Sequence, residues 1–306
     1  MNSYIKWTLL TLISLSITSN SLYGQRRFTS NPDSSTIHTE DIILFWKIFD
    51  KTSPKFDSEI FQKEYLNSGS DGLKGFIKMR IESGKNLSKT IKKNLSYYNE
   101  IRSSSLSIND KKDTLIKYYK NLKKLYPAAV FPDLYFVIGA KNTGGTTFKG
   151  GLIIGAEMFG KESENFKPRL NIDVINLVVI HELIHYQQKY VSDNTLLAQS
   201  IKEGVADFVC ELVTGSHSNK SIYEYGNKHE KELWQEFKEK MNSKDWTPWL
   251  YHSTNKSRPQ DLGYWMGYKI VKAYYDKMED KSKAVYDILN INDFKELLQK
   301  SGYSPL

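Results

Sequence analysis

Between Val174 and His185 the chain is apolar except for Asn176 and one compact group, His181-Glu182-Leu183-Ile184-His185. No other stretch limits the fold so tightly. An apolar run of this length reads as a buried helix. A buried helix keeps ionisable side chains only where something pairs them, because unpaired polar groups in the interior are costly. On a helix, a spacing of four puts both imidazoles on one face, one turn apart, able to grip a single ion. Zinc suits neutral imidazole nitrogens in tetrahedral geometry. Glu182 adjoins the first histidine and points about a quarter-turn away, so it reaches a water on the metal rather than the metal itself, as a general base would. The alternative is two core histidines satisfied by hydrogen bonds without a metal.

A site of this kind needs a third protein ligand. A histidine six positions beyond His185 would supply one, but that position is Val191. A glutamate on a following helix is the other arrangement. Asn194 or Thr195 can start such a helix, with Gly215 beyond its end, and a short turn around Ser192-Asp193-Asn194 lets it fold back. Glu203 is the expected ligand, with Glu211 its competitor two turns further on. Asp207 shares the face of Glu203 and can accept the second N–H of a ligand histidine, which fixes the tautomer; a surface aspartate is the plainer reading.

The rest of the chain frames this centre. Residues 1–24 read as a secretory signal peptide: Lys6, an apolar run from Trp7 to Ile17 diluted by Ser and Thr, then small and polar residues to Gly24. No cysteine follows that run, so lipidation there is not expected. The single Cys210 forms no intrachain disulfide, which leaves an exported protein to be held by its core or by a core plus a metal. Residues 25–39 read as a flexible lead-in. Residues 40–128 read as a helical part, with Asp41 as a cap and apolar residues at helical spacing over 58–67, 71–82, 86–104 and 109–125. Residues 129–306 read as the catalytic part. There, Leu134–Ile138 and Gly151–Ala156 are strand-like and expected to pair as a hairpin through a Gly-rich connection, either a lid or a plain link. Further helices are expected from Asp173 to about Tyr190, and at 227–241, 261–279, 281–289 and 292–300. The class is therefore α+β, mostly helical, with a small sheet. The net charge of +8 comes from lysines spread along helical segments, which reads as solvated helix faces, and no nucleic-acid motif is present.

Taken together, His181-Glu182-x-x-His185 and Glu203-Gly204-Val205-Ala206-Asp207 resemble the gluzincin metallopeptidases. Phe136-Val137-Ile138-Gly139, Gly155-Ala156-Glu157-Met158, Gln187-Gln188 and Gly263-Tyr264-Trp265-Met266-Gly267-Tyr268 extend the resemblance to a bacterial family of zinc-dependent proteases described as a domain of unknown function. That resemblance implies a zincin-like fold, Zn2+ held by His181, His185 and Glu203, Glu182 as base, and Tyr264, Tyr268 or His252 as donor to an oxyanion. It also implies a sheet-edge strand beside the metal, for which residues 151–158 are the candidate. Glu157 is faintly like the amine-reading glutamate of aminopeptidases, but the order of residues differs and the role is not carried over. The expectation is an exported zinc peptidase acting on a peptide or protein substrate. Its competitor is a cell-envelope binding or assembly protein that keeps a structural zinc site.

Overall fold

A computed structural model describes residues 28–217, 219–251 and 258–305. The signal-peptide segment 1–24 and His252 lie outside the described residues. Helices dominate, and the sheets are small. One hydrophobic cluster runs from Ile42 to Leu297, so the N-terminal helices and the metal-motif region share a core. Among the described residues no helix is long and apolar enough to cross a membrane.

The main sheet has four strands in the order Ile37–His38, Leu134–Val137, Gly151–Gly155, Gly145–Phe148. The first three are parallel, and the last is antiparallel to its neighbour. This corrects the expected hairpin between 134–138 and 151–156. The Gly-rich connection is long enough to cross over and contains a strand of its own, which pairs with Gly151–Gly155 through the tight turn at Lys149-Gly150. It also corrects the expected edge. Gly151–Gly155 is internal and fully buried, and the outer strand is Gly145–Phe148.

The expected flexible lead-in is tied down from its first described residue. Phe28–Thr29 pairs with Phe131–Pro132, and Ile37–His38 joins the main sheet. Between them a short 3-10 turn begins at Pro32, with Asn31 as its cap. Helix Glu40–Thr52 starts after Thr39, so Asp41 is not its cap. The Asp41 carboxylate instead accepts the backbone N–H and hydroxyl of Ser70 and anchors the next helix, Asp71–Phe76. The stretch 86–104 forms two helices, Gly84–Lys93 and Leu95–Leu106, broken where Asn94 leaves helical geometry. Likewise 227–241 divides at His229 into Lys220–Lys228 and Glu230–Lys240.

Two packing devices set the position of the centre. The helix Leu196–Thr214, which carries Glu203, crosses the helix Leu262–Lys277 with the backbones touching. A Cβ on Gly204 would lie 2.1 Å from the Gly267 carbonyl carbon, and one on Gly267 would lie 1.7 Å from the Ser200 carbonyl oxygen. Backbone cannot give way as a side chain can, so only glycine fits at either position. The second device is Glu157. It is wholly buried, and its Oε1 accepts the N–H of Lys141 at 3.1 Å while its Oε2 has no partner. Glu157 thus holds the loop that leads into the edge strand. Burial pushes its pKa up to about 7, against the opposing pull of backbone N–H groups and the Lys141 ammonium.

Two outcomes follow. Gly204→Ala should cost about 3 kcal/mol or more in denaturant unfolding, because the helix crossing must open. An unchanged midpoint would show that the backbones do not touch. For Glu157, the folded chain holds its proton up to about pH 7 while the unfolded chain loses it near 4.5. The contribution of this carboxyl to stability is therefore greatest below 4.5 and is lost as pH rises through about 7, by about 3 kcal/mol in total. Glu157→Gln should remove that slope in unfolding curves measured across the range. A variant with the parent's slope would rule this carboxyl out as its source.

Candidate metal centre

The motif helix spans Ile175–Gln187. A 3-10 turn at Ile172–Val174 leads into it, and Asn171 rather than Asp173 caps that turn, accepting the Asp173 N–H at 2.9 Å. The helix is enclosed on most sides, as its apolar composition requires. At its far end Gln187 clamps the strand region: its Nε2 donates to the Val130 carbonyl and its Oε1 accepts the Val130 N–H. The following helix, Leu196–Thr214, begins at Thr195, whose hydroxyl accepts the Ala198 N–H, and ends at Gly215 in the left-handed conformation. The two helices pack together and bring their polar residues face to face.

Three ligand atoms meet at one point. His181 Nε2 and His185 Nε2 are 3.1 Å apart, and Glu203 Oε2 lies 3.2 Å from the first and 3.1 Å from the second. Around a tetrahedral zinc, ligand atoms at bond lengths of about 2.05 Å stand about 3.3 Å from one another. The partners of the other ring nitrogens fix which way the lone pairs face. His181 Nδ1 donates to Asp207 Oδ1 at 2.8 Å. His185 Nδ1 donates to Gln188 Oε1 at 3.0 Å, and Gln188 is held in that orientation because its Nε2 donates to the Lys202 carbonyl. With both Nδ1 atoms acting as donors, neutral rings turn their Nε2 lone pairs toward each other and toward a carboxylate oxygen. A cation satisfies all three at once. Among the described residues these three form the one group of histidine, cysteine and acidic side chains able to hold a metal ion.

Partners behind the ligands complete the arrangement. Asp207 is almost wholly buried, and its Oδ2 accepts from Asn219 Nδ2 at 2.8 Å and the Tyr223 hydroxyl at 2.9 Å. The Tyr251 hydroxyl donates to Glu203 Oε1 at 2.6 Å, leaving Oε2 for the centre. Without an ion, burial disfavours charge on His181, but the Asp207 and Glu203 carboxylates outweigh it and hold its pKa well above the usual value. Burial opposes charge on Glu203 too, and the two imidazoles outweigh it, drawing its pKa well below the ordinary range. A proton and a metal therefore compete for the same lone pairs.

Glu182 lines the cleft beside the histidines but does not converge with the ligands. It packs against the edge strand, so that a Cβ on Gly145 would lie 2.7 Å from its Cγ. Burial raises its pKa, opposed by both histidines. Tyr264 also lines the cleft, its ring nearly parallel to that of His181 with centroids 5.9 Å apart. Tyr268 does not reach it. Its hydroxyl donates to Glu211 Oε2 at 2.8 Å, which also removes Glu211 as a ligand. Sequence reasoning missed Gln188, Asn219, Tyr223 and Tyr251. Only the left-handed Gly215, which turns the chain back toward Asp207, could have pointed to Asn219 and Tyr223.

The family model described as "Gliding motility protein GldB" matches residues 29–305. The chain belongs to this family. No curated protein and no solved structure matches it. This finding overturns the resemblance to zinc-dependent proteases, and with it the assignment as a peptidase or other hydrolase acting on a peptide substrate. Glu182 as base and Tyr264, Tyr268 or His252 as oxyanion donors belonged to that peptidase reading, which the family match does not support. The physical reason is simple: the spacing of His181, His185 and Glu203 specifies where lone pairs meet and does not specify a reaction. Membership in a gliding-motility family accords instead with an exported protein associated with the cell envelope.

Because Tyr268 serves the helix packing and not the centre, Tyr268→Phe should cost about 1 kcal/mol in unfolding measurements. Metal content should stay equal to the parent's. Loss of metal in this variant would place Tyr268 in the centre after all.

Proposed function

We propose that this chain is a metal-bearing binding component of the gliding machinery, exported through the segment 1–24 and acting at the cell envelope. The observation that carries this reading is the family match over 29–305. Residues His181, His185 and Glu203 hold Zn2+, and Asp207, Gln188 and Tyr251 fix their orientation. The metal lets three polar groups lie buried between two helices, and three protein ligands leave it one open position. The motif helix beneath a free edge strand, with the Glu203 helix beside it, supports a zincin-like scaffold put to a binding use. Strand Gly145–Phe148 pairs on one side only among the described residues. Its other edge offers backbone donors and acceptors to an extended segment of a partner protein.

Two measurements test this together. Elemental analysis of the purified chain should find one zinc per molecule; His181→Ala should lose it, and Asp207→Ala should bind it about 10–100-fold more weakly. In gliding cells whose own copy of the gene has been replaced, His181→Ala and Glu203→Ala should abolish surface spreading, whereas Glu182→Gln should support it. A chain that binds no zinc would sink the metal assignment. A Glu182→Gln variant that keeps its zinc yet cannot restore gliding would overturn the non-catalytic reading.

A further inference from the structure

The cleft over the metal centre, about 480 Å³, has a composition that points to the chemistry of its ligand. Apart from the metal ligands and Glu182, its side chains are of three kinds: the cations Arg80 and Lys202, threonine hydroxyls from 143, 146 and 147, and the phenols of Tyr251 and Tyr264. Among the described residues that line it there is no aliphatic or phenyl side chain. Such a wall gives little return for burying an apolar side chain, since only removal of apolar surface from water supplies that gain. It does offer hydrogen bonds and positive charge.

The charges can be counted. Glu182 and Glu203 line the cleft, and Asp207 stands directly behind His181. Against these three carboxylates stand Arg80, Lys202 and the double charge of the ion. The cleft is therefore left with about one net positive charge. Lys202 is half-buried, and its Nζ donates to the Asp193 carbonyl at 3.3 Å. Arg80 lines the cleft as well, and its backbone carbonyl accepts from Asn142 Nδ2 at the start of the edge-strand loop. Without Lys6 of the segment 1–24 the net charge of +8 becomes +7, which favours encounter with acidic partners in general.

We propose that the cleft binds an acidic polypeptide segment, laid along strand Gly145–Phe148 with a carboxylate side chain directed at the metal and the cations Arg80 and Lys202 flanking it. This rests on the reading of the chain as a zinc-bearing binding component, and it names the chemistry of the segment bound. Alternation in an extended strand sends every second side chain to the same side, so a peptide alternating threonine and glutamate presents a continuous row of carboxylates.

The test uses the zinc-loaded chain and three fluorescein-labelled dodecapeptides of alternating Thr-Glu, Thr-Gln and Thr-Lys, followed by anisotropy at about 150 mM salt, where distant charges are screened. The Thr-Glu peptide should bind about 10-fold or more tightly than Thr-Gln, and Thr-Lys should not bind. Lys202→Glu should abolish the preference, and Arg80→Ala should weaken Thr-Glu binding several-fold. Replacing Lys89 and Lys92, on the exposed face of helix Gly84–Lys93, should leave it unchanged. Should Arg80→Ala fail to fold, Arg80→Lys, which keeps the charge, must bind like the parent. Equal binding of Thr-Gln and Thr-Glu overturns the proposal. So does a Lys89/Lys92 double variant that loses as much binding as Lys202→Glu, since that would mark a general attraction to a basic surface. Zinc content, measured on the same samples, separates the two readings. Zinc present without acidic preference defeats this proposal alone, whereas zinc absent defeats the metal-bearing reading beneath it.

Discussion

Three lone pairs facing one another inside a protein repel, and the architecture around His181, His185 and Glu203 is arranged to make them do so. Asp207 and Gln188 take the Nδ1 protons of the two histidines, and Tyr251 occupies the outer oxygen of Glu203. Each outward hydrogen bond turns a lone pair inward. Without a positive charge between them, these contacts would be a liability in a buried position. With one, the same contacts lock two helices together. Asn219 and Tyr223 secure Asp207 in turn, so the order imposed by the centre reaches the segment that follows the Glu203 helix.

That dependence explains features with no chemistry of their own. Glu203 reaches the histidines because its helix is fixed from behind, where Gly204 and Gly267 allow two backbones to touch. A glycine beside a ligand is therefore as much a part of the centre as the ligand is. On the opposite wall the edge strand is placed by a loop whose backbone is tied to the buried Glu157. Gly155 and Gly139 lie against that carboxylate, and Gly145 lies against Glu182. The cleft is thus bounded by close approaches of main chain, which set its width more firmly than flexible side chains could.

The sequence made the motif helix, its burial, the Glu203 helix and both ends of that helix legible, because each rests on local signals: periodicity, a capping threonine and a terminal glycine. It also marked Asp207 by its spacing from Glu203. Strand order was not legible. Leu134–Val137 and Gly151–Gly155 look alike whether they run parallel or antiparallel, and the outcome turned on whether the residues between them formed a strand. Tyr251 joins Glu203 from a loop 48 residues away, and nothing local announces it. Asp41 illustrates a different failure. It has the character of a cap, yet its carboxylate is taken by Ser70, a long-range partner that a local pattern cannot contain.

Function was the least legible of all, for a reason that lies in the site itself. Two histidines one helical turn apart and a glutamate from a second helix are a solution to the problem of binding a cation between helices, and that solution is the same whatever the cation is for. What would distinguish a reaction from a docking site is the remainder of the cleft: which groups could stabilise developing charge, and which would hold a ligand at rest. Here Tyr268 turns away toward Glu211, Glu182 is packed against the edge strand, and the remaining wall is hydroxyls with the cations Arg80 and Lys202. With the proposed ion in place they suit the retention of an acidic strand. In a chain belonging to a gliding-motility family, a metal bound as we propose would tie two helices together and stiffen the floor against which such a strand would be held.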